Sequence, residues 1–330
     1  MNATTPVIRA ALAWVTLALS ALPLAGALAA SPADIAPWPT ARPITWIVGF
    51  PPGGSLDVLT RVAARKLSEK TGQSVVVENR PGASGLIALQ TAARAAPDAY
   101  TLITLPGPLL FTQRVPELGR ELTAVASLAQ GPMVLVGPAS NAPSTVQELI
   151  ADMRKEPKLW SYASSGNGTS QHLAGELFNL AAGTAMTHVP YKGGGQAVAD
   201  VVGGQIPLAM LGVTPVVQQI RAGKLKAYAV TTRYRIDSLP KVPTMQEAGL
   251  KGYDASQWYI VGAPAGTPAD RIERLNQWIS EISTSQDMKP ALDASGSVAG
   301  TGSAQAVHDF VTQDLQRWRD LADKARLNLN

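Results

Sequence analysis

The chain has 330 residues, of which 46% are hydrophobic and 16% charged, and its formal net charge is +4. This size and apolar content indicate a folded protein of about two domains rather than a disordered chain. The mild charge without a Lys/Arg run argues against nucleic-acid binding, and the absence of cysteine excludes disulfides, thiol nucleophiles and thiolate metal sites.

Residues 1–29 have the composition of a secretory signal peptide. They contain one basic residue, Arg9, no acidic residue, an apolar run at 10–22 and a final small-x-small triplet, Ala27-Leu28-Ala29. We therefore predict cleavage near Ala29. The alternative is an uncleaved membrane anchor, because the apolar run is almost long enough to span a bilayer. An exported chain without disulfides suits a bacterial periplasm.

The first part of the mature chain alternates strands and helices. An apolar run at 44–50 predicts a buried strand, and the following F-P-P-G-G-S-L-D segment (50–57) turns into a helix with Ser55 as a plausible N-cap. Further strands are predicted at 74–78 and 100–105, with a helix at 86–96 between them. This alternation favours a parallel sheet with helices on its faces.

The second part of the chain repeats this alternation of strands and helices, and its C-terminal end is predicted to return to the first part. The chain runs apolar again at 122–136, strands are predicted at 159–163, 185–190, 208–212, 227–231 and 257–261, and C-terminal helices at 269–282 and 304–325. If these helices pack on the first part, the chain crosses between two lobes near Met133 and near Tyr259, which makes a hinge and a cleft. We predict an α/β fold with lobe 1 at 30–132 and 258–330, and lobe 2 at 133–257.

Four glycine- or serine-rich loops each follow a predicted strand and open a helix. They are Gly53-Gly54-Ser55, 82–85, 164–170 and Gly193-Gly194-Gly195. In a parallel sheet such loops lie at the carboxyl edge, where helix N-termini favour anions. No nucleotide-binding glycine motif occurs, so a small carboxylate is favoured over a polyphosphate.

Catalytic interpretations have weaker support. His172 could act as a base on Ser164 or Ser165, which leaves an exported serine hydrolase as the alternative function. No histidine has metal-ligand spacing, so we predict no metal site. We also predict no cofactor, and we assign no residue a catalytic role. Trp258 and Tyr259 could line the cleft or fill the core, and the sequence does not decide between these.

The chain resembles the Bug-type substrate-binding proteins of tripartite tricarboxylate transporters. The resemblance rests on six segments in order: F-P-P-G-G-S-L-D (50–57), V-E-N-R-P-G-A-S-G (77–85), Y-A-S-S-G-N-G-T-S-Q-H (162–172), V-P-Y-K-G-G-G (189–195), L-P-K-V-P-T-M-Q-E-A-G-L (239–250) and A-P-A-G-T-P (263–268). It implies a two-lobed periplasmic Venus flytrap that is not an enzyme. Such proteins bind di- or tricarboxylates, amino acids or aromatic carboxylates and deliver them to a membrane permease. For this chain we expect a di- or tricarboxylate or an aromatic acid as ligand, and a monomer.

The resemblance also implies a set of binding residues, matched motif by motif. Asp57 is expected to support its loop rather than to perform chemistry. A receptor role in uptake and a receptor role in signalling are both compatible with the sequence. The expected ligand-binding residues are Pro52, Gly53, Gly54, Ser55, Asp57, Ala83 and Ser84 on the first lobe, and Ser164, Ser165, Gly168, Thr169, His172, Tyr191 and Lys192 on the second.

Overall fold

The computed structural model describes residues 38–109, 118, 120–324 and 326. Within them, ten strands form one mixed sheet. The strands are β1 Ile44–Val48, β2 Val75–Asn79, β3 Thr101–Gly107, β4 Leu122–Pro138, β5 Ser161–Ser164, β6 Thr187–Pro190, β7 Leu208–Gly212, β8 Leu225–Val230, β9 Ser256–Pro264 and β10 Val298–Ala299. The predicted signal peptide at 1–29 lies outside the described residues.

Helices cover both faces of this sheet. The α-helices of the described part are α1 Ser55–Thr71, α2 Leu86–Ala93, α3 Val146–Lys155, α4 Ser170–Ala182, α5 Gly194–Val202, α6 Thr214–Arg221, α7 Ala269–Ser283, α8 Lys289–Ser295 and α9 Ala304–Lys324. Short 3-10 turns occur at Ala83–Gly85 and Pro157–Leu159. None of the helices in the described ranges combines the length and the apolar character that crossing a membrane requires.

The strand order is β2-β1-β3-β9-β4-β7-β5-β6, and β8 and β10 also pair with β4. The strands near both ends are parallel, since β1 pairs with β2 and β3, and β5 pairs with β6 and β7. The centre is antiparallel, because β9 runs against β3 and β4, and β4 runs against β7 and β8. The parallel arrangement predicted from the alternation therefore holds only outside the centre, where strands pair without a crossover helix between them.

Strand β4 belongs to two halves of the sheet. Its first part, up to Pro132, pairs with β9, whereas its second part, from Met133, pairs with β7 and β8. We call β2, β1, β3, β9 and the first part of β4 the first half-sheet. The second part of β4 with β7, β5, β6 and β8 is the second half-sheet.

Each half-sheet has an apolar cluster on both faces, as expected for strands that are apolar on both sides. On the first half-sheet, α1 and α7 pack on one face, and α2 with the start of α9 on the other. On the second half-sheet, α3 and α4 cover one face, and α5 and α6 the other. The members include Trp46, Leu59 and Leu275; Ile47, Leu89 and Val307; Leu149, Phe178 and Met210; and Val134, Val201 and Val216, respectively.

Helix α9 contacts both half-sheets. Val307 and Val311 near its start belong to a cluster of the first half-sheet, and Trp318 near its end belongs to a cluster of the second. Between them, the Asp314 carboxylate accepts the indole N–H of Trp258 at 2.8 Å and that of Trp318 at 3.1 Å. One carboxylate thus joins tryptophans from the two clusters.

Candidate functional site

A cavity of about 540 Å³ lies where loops from the two half-sheets meet. Its first wall comes from the loop after β1 and from the end of β3. Its second wall comes from the loops after β5, β6 and β7, and β9 contributes two residues between the walls. The first wall consists of residues 50–56, 106 and 109, the second of 165, 169–171, 192–196, 198, 211, 212, 215 and 219, and β9 adds Gln257 and Tyr259.

A buried carboxylate fixes the loop of the first wall from behind. Asp57, only 2% exposed, accepts the Gly53 N–H at 3.0 Å, the guanidinium of Arg61 at 3.0 Å and the amide of Asn79 at 2.9 Å. Burial alone would raise the pKa of Asp57, but these hydrogen bonds outweigh it and the pKa lies below its ordinary value. Asp57 does not line the cavity, and its oxygens are occupied by Gly53, Arg61 and Asn79.

The predicted N-cap of α1 is one residue too late. Gly54 is the N-cap and Ser55 is the first helical residue. The Ser55 hydroxyl instead donates to the Thr214 hydroxyl at 2.8 Å, across the cavity at the start of α6. Ser55, which the sequence predicted to cap α1, therefore forms a hydrogen bond between the two walls instead.

Several helices of the described part begin at this cavity. The first residues of α1, α4 and α5, which are Ser55, Ser170 and Gly194, all line it, as does Pro215 in the first turn of α6. The first N–H groups of a helix have no acceptor within the helix and carry the positive end of its dipole. Lys192, which is exposed, is the one charged side chain among the described residues that line the cavity. The potential in the cavity is therefore positive and suits an anion.

The two walls are in direct contact. Besides the bond from Ser55 to Thr214, Pro51 lies so close to Gly193 that a methyl group at Gly193 would be 3.1 Å from the proline ring. Beside the cavity, the side chain of Ser84 occupies the space that a side chain at Gly166 would need. The loops after β1 and β2 thus meet the loops after β5 and β6.

A chain of amide groups connects the second wall to both central strands. The Ser165 hydroxyl donates to Gln171 at 2.9 Å, Gln171 donates to Gln257 at 3.0 Å, and Gln257 donates to the carbonyl of Pro132 at 3.1 Å. Pro132 is the last residue of β4 that pairs with β9. The chain therefore links a cavity wall to the point where β4 passes between the half-sheets.

Successive side chains of β9 point to opposite faces of the sheet, and this shows which of Trp258 and Tyr259 lines the cavity. Gln257 and Tyr259 face the cavity, whereas Trp258 points to the opposite side and packs in the core beside α9. Tyr259 is buried, which raises its pKa, and its hydroxyl bonds to Ser55, which partly offsets the rise. Sequence reasoning missed Gln257 and Gln171. A glutamine two residues before a candidate cleft tyrosine on a strand is the signal that could have found the first.

Two of the three histidines, His172 and His188, lie behind the second wall. The rings of His172 and His188 stack with centroids 3.8 Å apart. His172 Nδ1 accepts the Gly168 N–H at 3.1 Å, and His188 Nε2 lies 2.7 Å from the hydroxyl of Ser164, which is fully buried. The serine–histidine pairing of the hydrolase alternative is not formed, since Ser165 bonds to Gln171 and Ser164 to the other histidine.

We expect this histidine pair to make the fold acid-sensitive. Burial lowers the pKa of His172 to about 4, and burial together with the neighbouring His172 lowers that of His188 to about 3, against 6.5 for a free histidine. Between pH 6.5 and about 3 the unfolded chain therefore binds more protons than the folded one. The free energy of unfolding keeps this contribution above pH 6.5 and loses it as the pH falls through 4 toward 3.

Urea unfolding at several pH values between 7.5 and 4 measures this loss. Replacing both histidines by glutamine should flatten the slope, whereas His308→Gln on α9 should retain the parental slope. An unchanged slope in the double variant would contradict the assignment.

Three further predicted residues, Tyr191, Ala83 and Ser84, lie beside the cavity and do not line it. The Tyr191 hydroxyl donates to Asp200 at 2.6 Å, and burial together with this bond raises the pKa of Tyr191 to about 12. Ala83 and Ser84 form a turn with positive φ values of 45° and 53°. Pro52, Gly53, Gly54, Ser55, Ser165, Thr169 and Lys192 are brought together as lining residues, whereas Asp57, Ala83, Ser84, Ser164, Gly168, His172 and Tyr191 are not.

No group of three or more potential metal ligands occurs among the residues that the structure describes.

A family model described as "Tripartite tricarboxylate transporter family receptor" matches residues 59–327. The chain belongs to this receptor family. It is 36% identical to Protein BugT of Bordetella pertussis over 309 residues, covering 92% of this chain and 94% of BugT. It is 39% identical over 295 residues to a UPF0065 protein of Pseudomonas sp. strain P51, covering 88% of each.

Solved structures of the same kind confirm the predicted periplasmic-binding-protein fold. An R. palustris protein with adipate superposes with a TM-score of 0.83 at 34% identity, covering 87% of this chain and 98% of that one. The periplasmic binding protein BugD gives 0.81 at 30% identity, with coverages of 87% and 98%. MatC of Rhodopseudomonas palustris with bound malate gives 0.79 at 28% identity, with coverages of 85% and 98%.

Proposed function

We propose that this receptor is a periplasmic solute-binding protein that holds a small organic carboxylate between its two walls and delivers it to a membrane permease. The observation that carries the proposal is the convergence of the starts of α1, α4, α5 and α6 on one cavity whose described lining contains Lys192 and no acidic side chain. The adipate and malate in two related structures support the same chemical class.

The lining residues divide into those that meet the ligand and those that hold them in place. The ligand carboxylate accepts N–H groups from Gly54 at the start of α1 and from the starts of α4 and α5, whereas the Gly53 N–H is already donated to Asp57. Lys192 adds a charge at the rim. Asp57 and the histidine pair act from behind, because each fixes the backbone of one wall.

Binding is proposed to act through closure. We propose lobes at 30–132 with 258–330 and at 133–257, with the hinge in β4 and β9. The change in the pairing partner of β4 between Pro132 and Met133 supports this. A ligand that touches both walls binds the closed form better and so increases its population. The contact of Ser55 with Thr214 belongs to that closed form.

Export, the absence of catalysis and a monomeric state complete the proposal. The leader at 1–29 directs the chain to the periplasm, where cleavage near Ala29 releases it. The buried Ser164 has no open path to a substrate, which supports binding without turnover.

Calorimetric titration of protein that has been unfolded, freed of ligand and refolded tests the function. A panel of organic acids is compared with the corresponding amides, which keep the shape and remove the charge. At least one acid should bind at least a hundredfold more tightly than its amide and should compact the protein in solution scattering. If every amide bound as well as its acid, the cavity would not be an anion site and the proposal would fail.

A further inference from the structure

We infer, resting on the proposed function, that the ligand is a carboxylic acid with an unsubstituted hydrocarbon or aromatic body, lacking both an ammonium group and a set of hydroxyl groups. Three properties of the cavity lead to this ligand class: its charge, the way its polar side chains are already paired, and its apolar lining.

The charge distribution excludes an ammonium group. The acidic side chains on α1 and α5 that follow the lining residues most closely in the chain are occupied elsewhere. Asp57 is bonded to Gly53, Arg61 and Asn79 behind the loop, and Asp200 accepts the hydroxyl of Tyr191. Neither lines the cavity. An ammonium group would therefore leave water for a site with helix N-termini around it and no carboxylate to pair with.

Most polar side chains on the floor of the cavity are already bonded to one another. Ser55 is paired with Thr214, and Ser165, Gln171 and Gln257 form a chain that ends on a backbone carbonyl. A ligand rich in hydroxyl groups would have to break these bonds or leave its own groups unpaired, and a buried unpaired polar group is costly. The Ser170 hydroxyl, the Lys192 ammonium and the amides of Gln196 and Gln219 on the second wall are left to face ligand or water.

Apolar side chains from both walls offer the ligand body a matching surface. Burying hydrocarbon against them contributes about 25 cal/mol for each Å² removed from water. A hydroxylated body would gain less from the same contact. The lining residues that provide this surface are Phe50, Leu56, Pro106, Leu109, Val198 and Leu211.

Matched acids test the inference by calorimetric titration of the ligand-free full chain. Adipate and galactarate share a six-carbon diacid skeleton and differ by four hydroxyl groups. 3-Phenylpropionate and phenylalanine share a carbon skeleton and differ by an amino group. In each pair that binds, the unsubstituted acid should bind at least thirtyfold more tightly. The inference is overturned if galactarate or phenylalanine binds as tightly as its partner, or if none of the four binds.

A failure here can be told apart from a failure of the proposed function. If malate, citrate or an amino acid binds far better than its own amide while the unsubstituted acids do not bind, the carboxylate site stands and only the ligand class is wrong. If acids never bind better than amides, the proposed function fails with it.

A charge variant gives a second, independent readout. Gln219→Glu places a carboxylate on the second wall, and it should weaken binding of the unsubstituted acid about tenfold and narrow its advantage over phenylalanine. Gln205→Glu makes the same change at an exposed turn outside the cavity and should leave both affinities unchanged. Equal affinities for the two variants would contradict the inferred charge environment.

Discussion

Replacing Gly166 by valine is expected to abolish carboxylate binding while leaving a folded protein. Gly166 lies in the loop after β5 with φ at +136°, and a side chain there would collide with that of Ser84 from the other half of the chain. In the proposed closed form the two loops can no longer approach each other, whereas in the proposed open form the new side chain does not meet Ser84. If binding depends on closure as proposed, a loss of about 3 kcal/mol in the closed form lowers the affinity more than a hundredfold.

Two further variants separate the collision from backbone strain. Gly204→Val also places a side chain at a positive φ, +72°, but its surroundings are empty within 4 Å, so it should cost stability without affecting affinity. The milder Gly166→Ala should bind weakly and recover when Ser84→Gly is added, since this removes the atom that the new methyl group meets. Tight binding and normal compaction by Gly166→Val in calorimetry and solution scattering would show that these loops do not have to meet.

The outer parts of the fold could be predicted because they depend on local rules. The apolar run at β1, the glycine turn after it and the helix that follows are consecutive in the chain, and this sequence of elements defines a parallel unit. The centre could not be predicted in this way. Strands β4 and β9 pair over more than a hundred residues of separation, for example Pro132 with Ser256, and no local pattern encodes that partner.

The candidate site shows the same division between local and distant information. The glycine and serine loops could be located because each opens a helix, and several of their residues line the cavity. Their division into lining and supporting residues could not be predicted, because Ser164 and Ser165 are neighbours that point in opposite directions. The partner of Ser165 is Gln171, and that of Ser164 is His188 on the next strand. The hydrogen-bond partner of each serine depends on how distant segments pack together in the fold.

Asp314→Ala is expected to destabilise the fold strongly. The Asp314 carboxylate, whose side chain is 11% exposed, accepts two indole N–H groups, from Trp258 at 2.8 Å and from Trp318 at 3.1 Å. Both tryptophans are almost completely buried, at 3% and 2% exposure. Removing the carboxylate leaves two buried donors without an acceptor, which costs roughly 3 kcal/mol in the free energy of unfolding.

The matched control is Asp309→Ala on the same helix. Asp309 is exposed and bonds only to Gln305, so this change carries the same gain in helix propensity without the loss of buried hydrogen bonds. Urea unfolding followed by tryptophan fluorescence should show Asp314→Ala shifted to lower urea and Asp309→Ala near the parent. Asp314→Asn, which keeps one acceptor oxygen, should fall between them. If Asp314→Ala unfolded at the same urea concentration as Asp309→Ala, α9 would not be held to both half-sheets through this carboxylate, and its apolar contacts at Val307, Val311 and Trp318 would have to account for its position.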